Sequence, residues 1–153
     1  MDRRKHLSEC IDVIVRAIIV NDAGEKILFC SPKDKRYYYL PGGHVEFGET
    51  SKKALKRELL EETGIKVNEA DFIFVGTEEN IFLQKGQKRH EMNIYFRIAA
   101  SSLFLEEIVS REDHIVFSWI PFSALAQFPI LPASVKKTCE EFAKNREVKW
   151  GNM

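Results

Sequence analysis

Three carboxylates fall within five residues, at Glu58, Glu61 and Glu62, and they follow a glycine-rich stretch, Gly43-His-Val-Glu-Phe-Gly-Glu49. On a helix at about 100° per residue with Leu55 set to zero, Leu59 falls near 40°, Glu58 near 300°, Glu61 near 240° and Glu62 near 340°, so the acids border the apolar stripe. Lys53 and Lys56 turn away from it, at roughly 160° and 100°, and Lys52, near 60°, stands at its far edge. A run of charges usually forms a solvated, salt-bridged face. Here, however, Glu58 and Glu62 stand four residues apart and repel one another, and their leucine neighbours add a desolvation cost. A hard divalent cation between them removes both penalties. With no histidine or cysteine in the cluster, the donor set favours Mg²⁺, Mn²⁺ or Ca²⁺ over zinc. Mg²⁺ commonly shares its coordination with substrate phosphates, which points to phosphate chemistry.

These residues need elements to hold them. Thr50 is suited to cap a helix that runs to about Thr63, with Gly64 placed to end it. Tyr37 to Leu40 reads as a short aromatic strand, stopped by Pro41-Gly42-Gly43, after which a special loop is expected. Upstream, the β-branched run Cys10 to Val20 and the segment Lys26 to Cys30 flank the turn Asn21-Asp22-Ala23-Gly24. Downstream, Phe72 to Gln84 and His90 to Ala99 read as a hairpin across Lys85 to Arg89, followed by a strand at Ile115 to Ile120. Pro121 opens a short helical stretch through Ala126, and Ala133 to Asn145 has helical spacing. Mixed strands with a few helices, not strictly alternating, predict a layered α/β or α+β domain with a helix packed on a sheet.

The segment from Gly43 to Ile65 resembles the Nudix box of the MutT-like Nudix hydrolases, G-x5-E-x7-R-E-U-x-E-E-x-G-U with U aliphatic. Gly43, Glu49, Arg57, Glu58, Leu59, Glu61, Glu62, Gly64 and Ile65 all match. At ordinary residue usage the fixed positions would coincide by chance less than about once in a million chains of this length. The Pro41-Gly42 lead-in and the ending Trp119-Ile120-Pro121 are also similar to the family. The resemblance implies one Nudix domain over residues 1–153, a mixed sheet sandwiched between helices, and Mg²⁺- or Mn²⁺-dependent hydrolysis of a small nucleoside diphosphate linked to another group. It implies Glu58 and Glu62 as principal metal ligands, Glu61 as a further ligand or the base, the Gly42 carbonyl as a completing ligand, and Arg57 with Glu49 as a pair that holds the loop and orients the ligands. In the family the base is either a box glutamate or an acid on a later loop. Glu106, Glu107, Glu112 and Asp113 occupy such a stretch; Glu106 and Glu107 are carried as candidates for the substrate side of the site, as is His44 within the box. Tyr37, Tyr38, Tyr39, Phe47, Phe82 and Phe96 are aromatics able to stack a base, although strand aromatics are usually core. No subfamily marker narrows the substrate.

Composition bounds the rest. The chain has 153 residues, with 23 basic and 23 acidic ones. Zero formal charge lacks the electrostatic footprint of a protein that grips long nucleic acid or an anionic membrane. The longest wholly apolar stretches are four residues, far below the roughly 20 that span a bilayer, and a cytoplasmic protein is expected. A homodimer is left open. Cys10, Cys30 and Cys139 form neither a CxxC nor a disulfide framework and are expected to be small buried apolar residues. Two other function classes share the box: a binding module on the same fold, which often loses a box acid, and another diphosphate reaction such as isomerisation, which would want a cysteine such as Cys30 in the pocket.

Overall fold

The computed structural model describes residues 10–98 and 107–145, the last five by backbone alone. In chain order the elements are β1 (Asp12–Ile18), β2 (Lys26–Pro32), β3 (Gly42–His44), α1 (Ser51–Thr63), β4 (Phe72–Gln84), β5 (Gln87–Ile98), β6 (Ile115–Pro121) and α2 (Ala133–Asn145). Short 3₁₀ turns at Glu69–Asp71 and Phe122–Gln127 precede β4 and follow β6.

Four strands form a mixed sheet in the order β3-β1-β5-β4, in which β1 runs parallel to β5 and antiparallel to β3. The strand, turn, strand unit expected at the N-terminus begins as drawn. The Asn21 side chain accepts from the N–H groups of Glu25 and Lys26, and Leu28 N–H donates to the Ile19 carbonyl. The two strands then part, and β2 pairs with β6 in a separate two-stranded sheet. Both faces of the larger sheet are covered because β1 alternates in what it buries. Val15 and Ala17 join Leu55, Leu59 and Phe96 in a core under α1, whereas Ile18 joins Phe29, Tyr95, Leu125 and Val135 in a second core that includes α2. A mixed sheet between helices, the expected fold class, is what the chain adopts.

Three local expectations need correction. Tyr37 to Leu40 is not a strand of either sheet. Tyr39 exchanges both of its backbone hydrogen bonds with Cys30, while Tyr38 bonds Pro129 and Leu131 on its other side, so successive residues serve different partners and no ladder develops. The loop expected after Pro41 instead supplies β3, where Gly42 sits at φ 137° and a Cβ would collide with the Val15 carbonyl oxygen. Only glycine lets the chain lie that close to β1. The hairpin is tighter than expected. Lys85 and Gly86, both at positive φ, make a two-residue turn, and β5 begins at Gln87.

Candidate active site

Helix α1 carries the acids and has caps at both ends. Thr50 accepts from Lys53 N–H through its hydroxyl at 3.3 Å, and Gly64, in the left-handed region at φ 74°, donates to the Leu60 carbonyl. Ala54, Leu55 and Leu59 are fully buried against the first core. That packing fixes the rotation of the helix and carries Glu62 inward with it: the residue is 5% exposed, against 52% for the Glu61 side chain.

Glu62 is the most perturbed acid of the site. Burial pushes its pKa from 4.5 to about 8, and the charges of Glu58 and Glu112 push the same way, while Arg16 and a hydrogen bond from the Gly42 N–H oppose them. Its Oε2 is buried and has no hydrogen-bond partner among the described residues. A carboxylate oxygen in that condition is costly unless a cation meets it.

Arg57 organises the other side. Its Nε and Nη2 grip Glu49 bidentately at 2.9 and 3.0 Å, Nη1 holds Glu58 Oε1 at 2.9 Å and reaches Glu61 at 3.4 Å, and Nη2 also donates to the His44 carbonyl at 3.0 Å. The Glu49 carboxylate accepts from Glu46 N–H as well, and the Arg57 partnership holds its pKa below the usual value. One guanidinium thus ties together the loop, β3 and two acids of the helix. Beside it, a Cβ on Gly43 would collide with the Glu58 carboxylate. The adjacent glycines serve different neighbours: Gly42 admits β1, and Gly43 admits the acid.

The residues fit a divalent cation in their chemistry. The donors are hard oxygens, one of them buried and unpartnered, and Arg57 engages Glu58 through Oε1. Among the described residues no three of His, Cys, Asp and Glu are already gathered tightly enough to enclose an ion.

The sequence candidates separate in space. Of the later acids among the described residues, Glu112 is the one whose charge reaches Glu62. Glu107 is exposed, and Glu106 lies outside the described residues. Glu112 also borders a cavity of about 450 Å³ lined by Leu28, Lys33, Glu107, Asp113 and Trp119. The His44 side chain is exposed, and its backbone carbonyl makes the contact with Arg57. Tyr38 and Phe96 are core residues, and Phe47 is fully exposed on the box loop. Arg16 was missed. It lies over the Tyr39 ring at 5.6 Å, donates to the Leu40 carbonyl at 3.2 Å and helps to hold down the pKa of Glu62. As the one cation inside the β-branched run of β1, it left a signal in the sequence. Cys30 and Cys139 are buried as expected, but Cys10 is exposed.

The profile of the NUDIX domain matches residues 12–141. The chain belongs to the Nudix family. Among curated proteins, the putative 8-oxo-dGTP diphosphatase YtkD of Bacillus subtilis is 32% identical over 127 residues, covering 76% of this chain and 75% of that protein. The m7GpppN-mRNA hydrolase NUDT17 of Xenopus laevis is 33% identical over 97 residues, 58% of this chain, and the match spans only 32% of that longer protein. Among solved structures, the MutT protein of Bacillus halodurans superposes with a TM-score of 0.68 at 20% identity, over 90% of this chain and 86% of that one, a likeness of fold. The Nudix family and fold expected from the box are borne out, and the enzyme class expected, a phosphoanhydride hydrolase, is the one these relatives' names carry. No helix among the described residues is long and apolar enough to cross a membrane.

Proposed function

We propose that this Nudix protein is a Mg²⁺- or Mn²⁺-dependent pyrophosphohydrolase that cleaves a diphosphate linkage in a small nucleoside diphosphate bearing a further group, with nucleoside triphosphates of the 8-oxo-dGTP kind the first class to test. The observation that carries this reading is the buried, unpartnered Oε2 of Glu62, set within the field of Glu58 and Glu112. Such an arrangement costs stability in the free protein, and a divalent cation would offset that cost.

In this reading Glu58 and Glu62 hold the ion, with Glu61 and the Gly42 carbonyl as further ligands. When bound, a divalent ion neutralises diphosphate oxygens and lowers the pKa of an attacking water. The chain's own residues do the rest. Arg57, held by Glu49, fixes the Glu58 carboxylate and the loop from His44 to Glu49, so the ligands need no reorganisation when substrate arrives. Water adds to a phosphorus atom, the bridging oxygen leaves with the bonding electron pair, and a carboxylate takes the water's proton. Glu61 and Glu112 are the acids available for that proton. Glu112, whose carboxylate also reaches His114 at 3.4 Å, is favoured because it is about two-thirds buried and its charge acts on Glu62, whereas Glu61 is half exposed. The cavity next to Glu112 lies within the range of about 300 to 1,000 Å³ that suits a small organic ligand and offers room for the group carried by the diphosphate. The buried Cys30, whose thiol is held protonated by desolvation and by the charge of Glu62, is poorly placed for chemistry that needs a nucleophile.

The test is product release with Mg²⁺ or Mn²⁺ across oxidised and ordinary (deoxy)nucleoside triphosphates, nucleotide sugars, ADP-ribose, dinucleoside polyphosphates and m7G-capped RNA, each beside Glu62→Gln. A triphosphate cleaved by the wild type and not by the variant supports the reading. Turnover undiminished in Glu62→Gln removes the metal assignment, and cleavage of capped RNA alone removes the small-substrate assignment.

A further inference from the structure

The loop before β6 docks on the C-terminus of α1 through contacts that the box pattern does not account for. Arg111 donates its backbone N–H to the Glu62 carbonyl at 2.8 Å, satisfying an acceptor that the end of a helix leaves open. Its side chain covers Gly64. A Cβ built there would meet Cζ, Nε and Nη2 at nearly equal distances, so the face of the guanidinium, not its edge, lies on the glycine. The last turn of α1 has no basic residue of its own, and Arg111 brings a cation to the negative end of the helix dipole from another part of the chain. The neighbours on either side are also fixed. The Ser110 hydroxyl accepts from Glu112 N–H at 3.1 Å and donates to the Glu112 carbonyl at 3.0 Å. Ile115 N–H closes the following turn onto the same carbonyl at 3.4 Å. The backbone of residue 112 is therefore tied to residue 110, and residue 111 is tied to the residue that presents the buried acid.

We propose that Arg111 is a positioning residue, and that its stacking on Gly64 sets the distance of Glu112 from the metal-binding acids of α1. The proposal rests on the role given above to Glu112. It assigns to Gly64 a purpose beyond ending the helix: the absent side chain is the seat of the guanidinium. Lysine at 111 would keep the charge but has no plane to stack, so charge alone would not restore the geometry.

Arg111 is exposed, and its removal leaves both cores intact. The experiment compares wild type, Arg111→Ala, Arg111→Lys, Glu112→Gln and the double variant Arg111→Ala/Glu112→Gln by steady-state kinetics, and measures Mn²⁺ binding to the substrate-free proteins by electron paramagnetic resonance. Arg111→Ala is expected to lower kcat by about tenfold or more, the usual effect of removing a residue that orients a catalytic group, with the substrate KM and Mn²⁺ binding both within about twofold because the ligands on α1 keep their places. Arg111→Lys should behave like the alanine variant, and the double variant should be no slower than Glu112→Gln. Wild-type kcat in Arg111→Ala, full recovery in Arg111→Lys, or losses that multiply in the double variant would overturn the proposal. Wild-type kcat in Glu112→Gln would instead remove the role given to Glu112, whatever Arg111 does.

Discussion

Glu62→Gln should make the metal-free protein more stable while destroying its activity. The wild-type carboxyl titrates near 8 in the fold and near 4.5 when unfolded. Because the folded value is the higher one, the wild type carries no penalty at this site below pH 4.5 and loses stability progressively as pH rises from 4.5 through 8. At about 1.36 kcal/mol per pKa unit, the 2.5 units between 4.5 and 7 correspond to about 3 kcal/mol at pH 7, rising to about 5 kcal/mol above pH 8. Glutamine does not titrate. Its carbonyl oxygen can still accept from Gly42 N–H, and its amide replaces the unpartnered Oε2, so the penalty is removed with the shape retained. Urea denaturation in EDTA should show variant and wild type alike near pH 4 and separated by about 3 kcal/mol at pH 7, a shift in Tm of roughly 6 to 12 °C for a domain of this size. Saturating Mn²⁺ should reverse the order, because only the wild type gains binding energy from it. A stability difference that stayed constant from pH 5 to pH 8 would refute the argument, since the effect must follow the titration of one buried acid.

The other perturbations act at separate points of the structure. Arg57→Lys loses the bidentate grip on Glu49 and the bond to the His44 carbonyl, and should cut kcat by about 10- to 100-fold with Tm changed by only a few degrees, as followed by kinetics and melting of the same preparation. Gly42→Ala forces a side chain into the Val15 carbonyl at a φ that side chains rarely adopt, and should cost at least about 3 kcal/mol in urea denaturation; a smaller loss would mean that β3 can move away from β1. A thiol reagent should label Cys10 at once in the native protein and reach Cys30 and Cys139 only after unfolding, because burial raises both of their thiol pKa values.

What the sequence determined by itself was local. The helix from Ser51 to Thr63 was legible because its stop and start are chemical: a threonine hydroxyl for one free N–H and a glycine for one left-handed residue. The strands Phe72–Gln84 and Ala133–Asn145's helix were legible from periodicity, and the acids of the box from spacing, since residues four apart on a helix must be neighbours. The grip of Arg57 on Glu49 was already implied by the family pattern. What only the tertiary structure decided were relations between segments distant in the chain. Whether Tyr37 to Leu40 forms a strand depends on which neighbours accept its N–H groups, and Cys30 and Pro129 lie on opposite sides of it. Which later acid approaches Glu62 depends on the docking of Arg111 at the end of α1, and nothing within residues 106–113 distinguishes Glu112 from the acids beside it. The pKa of Glu62 is decided in the same way: the sequence put it at the border of an apolar stripe, and the packing of Leu55 and Leu59 against β1 turned that border inward, where solvent no longer screens its neighbours' charges.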